Sequence, residues 1–202
     1  PDNVVVEATQ TTPVKVAERA AELGVAQVKS VVAHWSLIRL PEQPMPPRLR
    51  DERVGYFSVG HYDFSARDHR ARRREYITRY RLEKKDPSAA VSEPVRPIVY
   101  YIDPATPPEW VPSVRAGIED WQEAFEAAGF RNAIVARDAP SPEEDPSWSP
   151  EDVRYTVVRW LASTQENAQG PRIVDPRTGE ILNGSVRVFH NVLTMLRDMY
   201  FE

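Results

Sequence analysis

Ile98-Val99-Tyr100-Tyr101-Ile102, then residues 110–128 (WVPSVRAGIEDWQEAFEAA), then Ala133-Ile134-Val135-Ala136 form the stretch that decides the fold. The first run is continuous and apolar in character, the pattern of a strand covered on both faces. Asp103-Pro104 closes it with turn chemistry. In residues 110–128, Trp110, Val114, Ile118, Trp121 and Phe125 fall at helical spacing and make one apolar stripe. Arg115, Glu119, Gln122, Glu123 and Glu126 occupy polar positions off that stripe, and Gly129 is a natural stop just past the end. Strand, helix and strand in this order predict a parallel pair with a right-handed crossover.

Working outward, residues 153–161 (VRYTVVRWL) read as a further strand. Residues 172–174 and 181–189 flank Asp175-Pro176-Arg177-Thr178-Gly179, a turn composition between two strands. That hairpin predicts an antiparallel edge, so the sheet should be mixed. Residues 191–201 read as a helix through Val192, Leu193, Leu196, Met199 and Tyr200. On the other side, residues 3–8, 28–40, 55–64 and 76–82 read as strands, and residues 17–23 as a short helical turn. The predicted class is α+β or α/β: a mixed twisted β-sheet with a long backing helix, preceded by a β-rich segment. The domain reading is 1–90 as a β-rich accessory segment and 91–202 as the mixed sheet with its helices.

Composition narrows the function classes. Of 202 residues, 19 are proline and 8 glycine, which excludes collagen-like and flexible-linker chains. A hydrophobic share of 41% is enough apolar material for a folded core. The prolines cluster at 41–47, 87–112 and 140–150, between the periodic segments. Cysteine is absent, which removes disulfides, thiolate metal sites and a Cys nucleophile. A net charge of −4 favours neither nucleic acid nor an anionic membrane. No apolar run approaches the roughly 18 residues of a spanning helix.

His34, His61, His69 and His190 do not pair at metal-ligand spacing. His61 and Asp63 share one face of a strand, either as a functional pair or, in the preferred reading, as a structural one. Arg67, Arg70, Arg72, Arg73 and Arg74 form a basic run; a solvated loop is preferred over a nucleic-acid surface. Asp175 and Glu180 bracket the late turn, as an acid–base pair or as turn and strand-edge residues. No glycine-rich phosphate loop and no Gly-X-Ser-X-Gly elbow is present. From the residues alone, the chain carries no complete active site.

Several segments together resemble a known family. They are Tyr76-Ile77-Thr78-Arg79-Tyr80-Arg81-Leu82-Glu83-Lys84-Lys85-Asp86-Pro87, residues 90–103 (AVSEPVRPIVYYID), residues 121–130 (WQEAFEAAGF), Asp152-Val153-Arg154-Tyr155, and Asp175-Pro176-Arg177-Thr178-Gly179-Glu180-Ile181. They are similar to a bacterial zinc-dependent metalloprotease family of the metzincin type, over about residues 28–189. The resemblance implies that residues 91–202 are the amino-terminal half of a catalytic domain. It places the His-Glu-X-X-His zinc helix beyond residue 202, so this chain is expected to be an internal fragment, inactive and without a zinc site of its own. Catalytic and metal-ligating residues in this chain are therefore none, and zinc belongs to the parent protein. The resemblance further implies a peptide or protein substrate held along an antiparallel edge strand. By order that strand is residues 169–174, with Gly170, Arg172 and Ile173 as substrate-binding residues and 181–189 as its inner neighbour. It also implies export to the periplasm or the extracellular space. The stretch after Val188 (FHNVLTMLRDMYFE) has no match to the family. The alternative is a non-catalytic peptide-binding or self-associating module, because apolar surface left open on the helix and sheet favours a homo-oligomer.

Overall fold

The computed structural model describes residues 3–13, 28–65 and 67–201. The helical turn expected at 17–23 lies outside the described residues. The first two elements, β1 (Asn3–Pro13) and β2 (Val28–Ile38), pair antiparallel over eleven positions as a two-stranded ribbon. Residues directly opposite share a face. One face therefore carries Val4, Val6 and Ala8 against Leu37, Trp35 and Ala33, while the other carries Glu7 and Thr9 against His34 and Val32. The apolar face stays open: Val4 is 59% exposed, and Trp35 and Leu37 are each 62% exposed.

A second hairpin joins β3 (Ser58–Asp63) to β4 (Arg72–Ile77). Sequence periodicity starts the later strand at Tyr76 and puts the arginines in a loop; in the structure the strand runs from Arg72 to Ile77, and only Arg67 and Arg70 of the run stay in the connecting loop. Arg72, Arg73 and Arg74 lie in the strand because each faces a charge it can pair with. Arg74 meets Asp63 at 2.9 Å, Arg73 meets Glu75 at 3.0 Å and Arg72 meets Asp68 at 2.5 Å. Beyond Thr78, whose N–H still bonds Phe57 O at 2.8 Å, the backbone leaves the hairpin. Arg79 instead donates its N–H to Gly179 O (3.0 Å) and accepts from Ile181 N (2.9 Å).

The main sheet has five strands in the order β6-β5-β7-β11-β8. They are β5 (Ile98–Ile102), β6 (Ile134–Asp138), β7 (Val157–Leu161), β8 (Ala168–Gln169) and β11 (Val186–Phe189). Four run parallel, and β8 is antiparallel to β11, so the sheet is mixed. The expected strand at 181–189 is two strands. Residues β10 (Ile181–Asn183) pair with β9 (Ile173–Val174) in a separate ladder. The break follows from Asn183, whose Oδ1 accepts from both the N–H and the hydroxyl of Ser185 and so turns the chain.

The expected single helix is two: α1 (Val111–Glu119) and α2 (Trp121–Ala127), interrupted at Asp120. Pro112 sits in the first turn of α1, where a missing N–H costs nothing. Gly129, at φ +87°, ends α2: Phe130 N bonds Phe125 O and Gly129 N bonds Glu126 O, the double bond pattern of a left-handed helix stop. Ile118 from this helix pair packs on Ile98, Ile102, Ile134, Ala136 and Val158, with Val114 and Phe125 against the same cluster. The two tryptophans of the stripe are not in the core; Trp121 is 61% exposed. At about 100° per residue, Trp110 and Trp121 fall on one margin of the stripe, roughly 80° and 60° from Ile118. The last element, α3 (Val192–Phe201), leaves Leu196, Met199, Tyr200 and Phe201 exposed. No helix among the described residues is long and apolar enough to cross a membrane. The fold is thus mixed α and β, with one multi-stranded sheet and few helices.

Candidate functional site

The sheet edge predicted to bind substrate begins at β8. Gln169 pairs with Arg187 and Ala168 with Val188. Phe189 N donates to Asn167 O (3.3 Å), so Asn167 turns its main chain inward, and the alternation of a strand turns that of Ala168 outward. The strand covers 168–169 rather than 169–174. Pro171 offers no N–H to extend a ladder, and the chain beyond it departs to pair with β10. Gly170 is exposed just past the edge. Arg172 is pinned elsewhere, its guanidinium 4.1 Å from the centre of the Phe57 ring and 3.4 Å from Thr78 Oγ1. Ile173 belongs to β9 and is 41% exposed. The three residues therefore do not share one edge.

The carboxylates that bracket the late turn are structural. Asp175 is fully buried and receives Nε (3.0 Å) and Nη2 (2.7 Å) of Arg177. These hydrogen bonds hold its carboxyl below the ordinary range, against the opposing effect of burial. Glu180 receives Nε (2.9 Å) and Nη2 (2.5 Å) of Arg81, a bidentate pair that raises the guanidinium's affinity for its proton. Each carboxylate is spent on an arginine, so neither is placed to exchange a proton with the other. Gly179, at φ +79°, closes the turn with its Cα against the carbonyl oxygen of Ile77; a Cβ there would overlap that oxygen.

A cleft of about 760 Å³ opens beside this turn. Its floor comes from β5, whose Val99 and Tyr101 alternate with the core residues Ile98, Tyr100 and Ile102. Arginines at 39, 81, 96 and 154 line it, with Glu42 and Glu180. Arg81 is held by Glu180, Arg39 by Glu42 at 2.8 Å, and Arg154 by a fork onto Asp152 at 2.6 and 2.9 Å. Burial opposes the charge of Asp152, but the Arg154 bonds bring its carboxyl below the ordinary range. Arg96 makes no hydrogen bond or ion pair with any described residue, and neither does the hydroxyl of Tyr101 make a hydrogen bond. Tyr101, Tyr155 and Trp148 stack in an aromatic trio with centroids 5.6–6.3 Å apart. Nothing local in the sequence marks this cleft, because its walls come from residues 38–43, 80–81, 96–101, 154–156 and 180–182.

On the opposite sheet face, Tyr80 and Tyr100 meet hydroxyl to hydroxyl at 3.1 Å, and Tyr100 donates to Gly184 O at 2.9 Å. Burial pushes the Tyr80 hydroxyl far above its ordinary range, so it stays neutral. His61 lies 5.6 Å from the Tyr76 ring, while Asp63 is taken by Ser65 and Arg74. His34 pairs with Glu7 at 3.7 Å, and His190 accepts from the Trp160 indole at 3.3 Å. No group of three or more His, Asp or Glu side chains among the described residues is arranged to hold a metal ion. The residues described do not fit a zinc centre.

A family described as a domain of unknown function (DUF5117) matches residues 1–85. No curated protein and no solved structure matches the chain.

Proposed function

We propose that this chain is the cleft-forming part of a zinc-dependent peptidase of the metzincin type, and that its share of the work is to hold an extended peptide. Export to the periplasm or beyond belongs to the same proposal. The observation that carries it is the short antiparallel strand β8 at the edge of a mixed sheet whose other face is backed by α1 and α2. Such an edge offers the outward carbonyl of Ala168 to a substrate that joins as an added strand, while the Ala168 N–H is held by Asn167 Oδ1 at 2.8 Å. Gly170, next to it, leaves room for the substrate backbone, with nothing within 4 Å of where its Cβ would stand. Arg172 and Ile173 then flank the bound peptide rather than line it. Hydrolysis by zinc-activated water is a property of the proposed parent protein, and the described residues perform no step of it.

The test compares a six-residue extended peptide with its counterpart N-methylated at alternate amides. Addition to the edge requires binding of the first and at least a tenfold loss with the second. Equal binding of the two peptides would sink the reading.

A self-associating module is the second reading. The open apolar face of Val4, Val6, Trp35 and Leu37 favours it, since a two-stranded ribbon alone is marginal in water. Light scattering over rising protein concentration tests it; a constant monomer mass would count against association.

A further inference from the structure

We propose that the arginine cleft beside residues 175–180 is a second binding site, specific for the C-terminal carboxylate of a peptide, with Arg96 as its counter-charge. The site shares no lining residue with the β8 edge and does not rest on the reading of that edge. Its charge pattern selects the ligand. Three of the four arginines are already neutralised: Arg39 by Glu42, Arg81 by Glu180 and Arg154 by Asp152. Arg96 alone faces the cleft without an acidic partner among the described residues. One uncompensated guanidinium matches one negative charge, which fits a carboxylate better than a phosphate dianion or a polyanion.

The neutralised arginines still matter. Asp152 and Glu180 grip Arg154 and Arg81 through Nε and Nη2 in each case. A guanidinium clamped this way is fixed in place before a ligand arrives, which lowers the ordering cost of binding. The remaining walls suit the body of a peptide rather than a bare ion. Leu40, Val99 and Ile181 give apolar surface, and Tyr101 supplies an uncommitted hydroxyl on the strand that follows Arg96. A peptide end can thus leave its carboxylate at Arg96 and lay its last side chains on the apolar wall.

Three fluorescent peptides of one apolar sequence test the proposal by anisotropy with the full chain. One ends in a free carboxylate, one ends in an amide, and one ends in an amide but carries an internal glutamate. The free acid should bind at least tenfold tighter than the amide, and higher salt should narrow that gap. Arg96→Ala should abolish the preference and Arg96→Lys should restore part of it, both with an unchanged unfolding midpoint, because Arg96 is exposed and unbonded. Equal binding of acid and amide, no binding of the acid, or an Arg96→Ala protein that keeps the preference would each overturn the proposal. Glutamate peptide binding as tight as the free acid would overturn the assignment to a C-terminus.

Discussion

Three aspartates among the described residues fold the arginine two residues later back onto themselves: Asp51 with Arg53, Asp152 with Arg154 and Asp175 with Arg177. In each, the arginine N–H also bonds the same carboxylate, so an Asp-X-Arg triplet becomes a closed local turn. The triplet is legible in the sequence; what it does depends on burial. At Asp51 it decorates the surface, whereas at Asp175 the carboxylate is fully buried. Because the folded protein favours the charged form of Asp175, its contribution is complete above the ordinary carboxylate range, about pH 4, and is lost as pH falls through the lowered folded value. Thermal unfolding followed from about pH 7 to about pH 3 should therefore show a falling midpoint. Asp175→Asn should lower the midpoint at neutral pH and flatten that fall. An unchanged pH slope in the variant would show that Asp175 is not the group responsible.

Elements whose partners are adjacent in sequence were readable, and those whose partners are distant were not. The unit β5-α1-α2-β6 follows from an apolar run, a helical stripe and a glycine stop, each a local pattern. The segment at 76–82 alternates as a strand would, yet Arg79 spends its main-chain groups on Gly179 and Ile181, a hundred residues on, which no local pattern encodes. The arginines at 72–74 are an exception, since their partners Asp63, Asp68 and Glu75 are near in sequence; a run of like charges simply lacks the apolar alternation that marks a strand. The cleft was illegible because it is assembled from five separate stretches. The late turn gives an element-scale prediction. Gly179→Ala must adopt φ +79° and push a methyl group into the Ile77 carbonyl, at a cost of about 1–3 kcal/mol. Gly170→Ala, in open space, should be nearly neutral by comparison. Denaturant unfolding of the two variants checks this, and equal midpoints would refute it.

For the whole molecule, the β1–β2 ribbon stands apart from the five-stranded sheet and carries much of the exposed apolar surface. Its composition is clearly strand-forming, but sequence alone did not reveal that all of Val4, Val6, Trp35 and Leu37 would share one uncovered face; that follows from the register. If that face drives association, replacing Trp35 and Leu37 by threonine keeps strand preference and removes the patch. The double variant should lose the concentration-dependent rise in mass expected of the parent chain, as read by light scattering. A rise that persists would place the contact elsewhere, for example on the exposed residues of α3.

The tie between residues 79–81 and 179–181 also bears on how the molecule is made. Arg79 and Arg81 find their partners in Gly179, Glu180 and Ile181, and Arg177 reaches back to Pro41 O at 2.8 Å. The stretch around residues 41–81 is therefore finished only after the ribosome has passed residue 181. Until then Arg81 has no buried counter-ion, and the rim of the cleft has no far wall. Synthesis order and spatial order thus run against each other here: residues 79–81 are translated about a hundred residues before the partners that lock them.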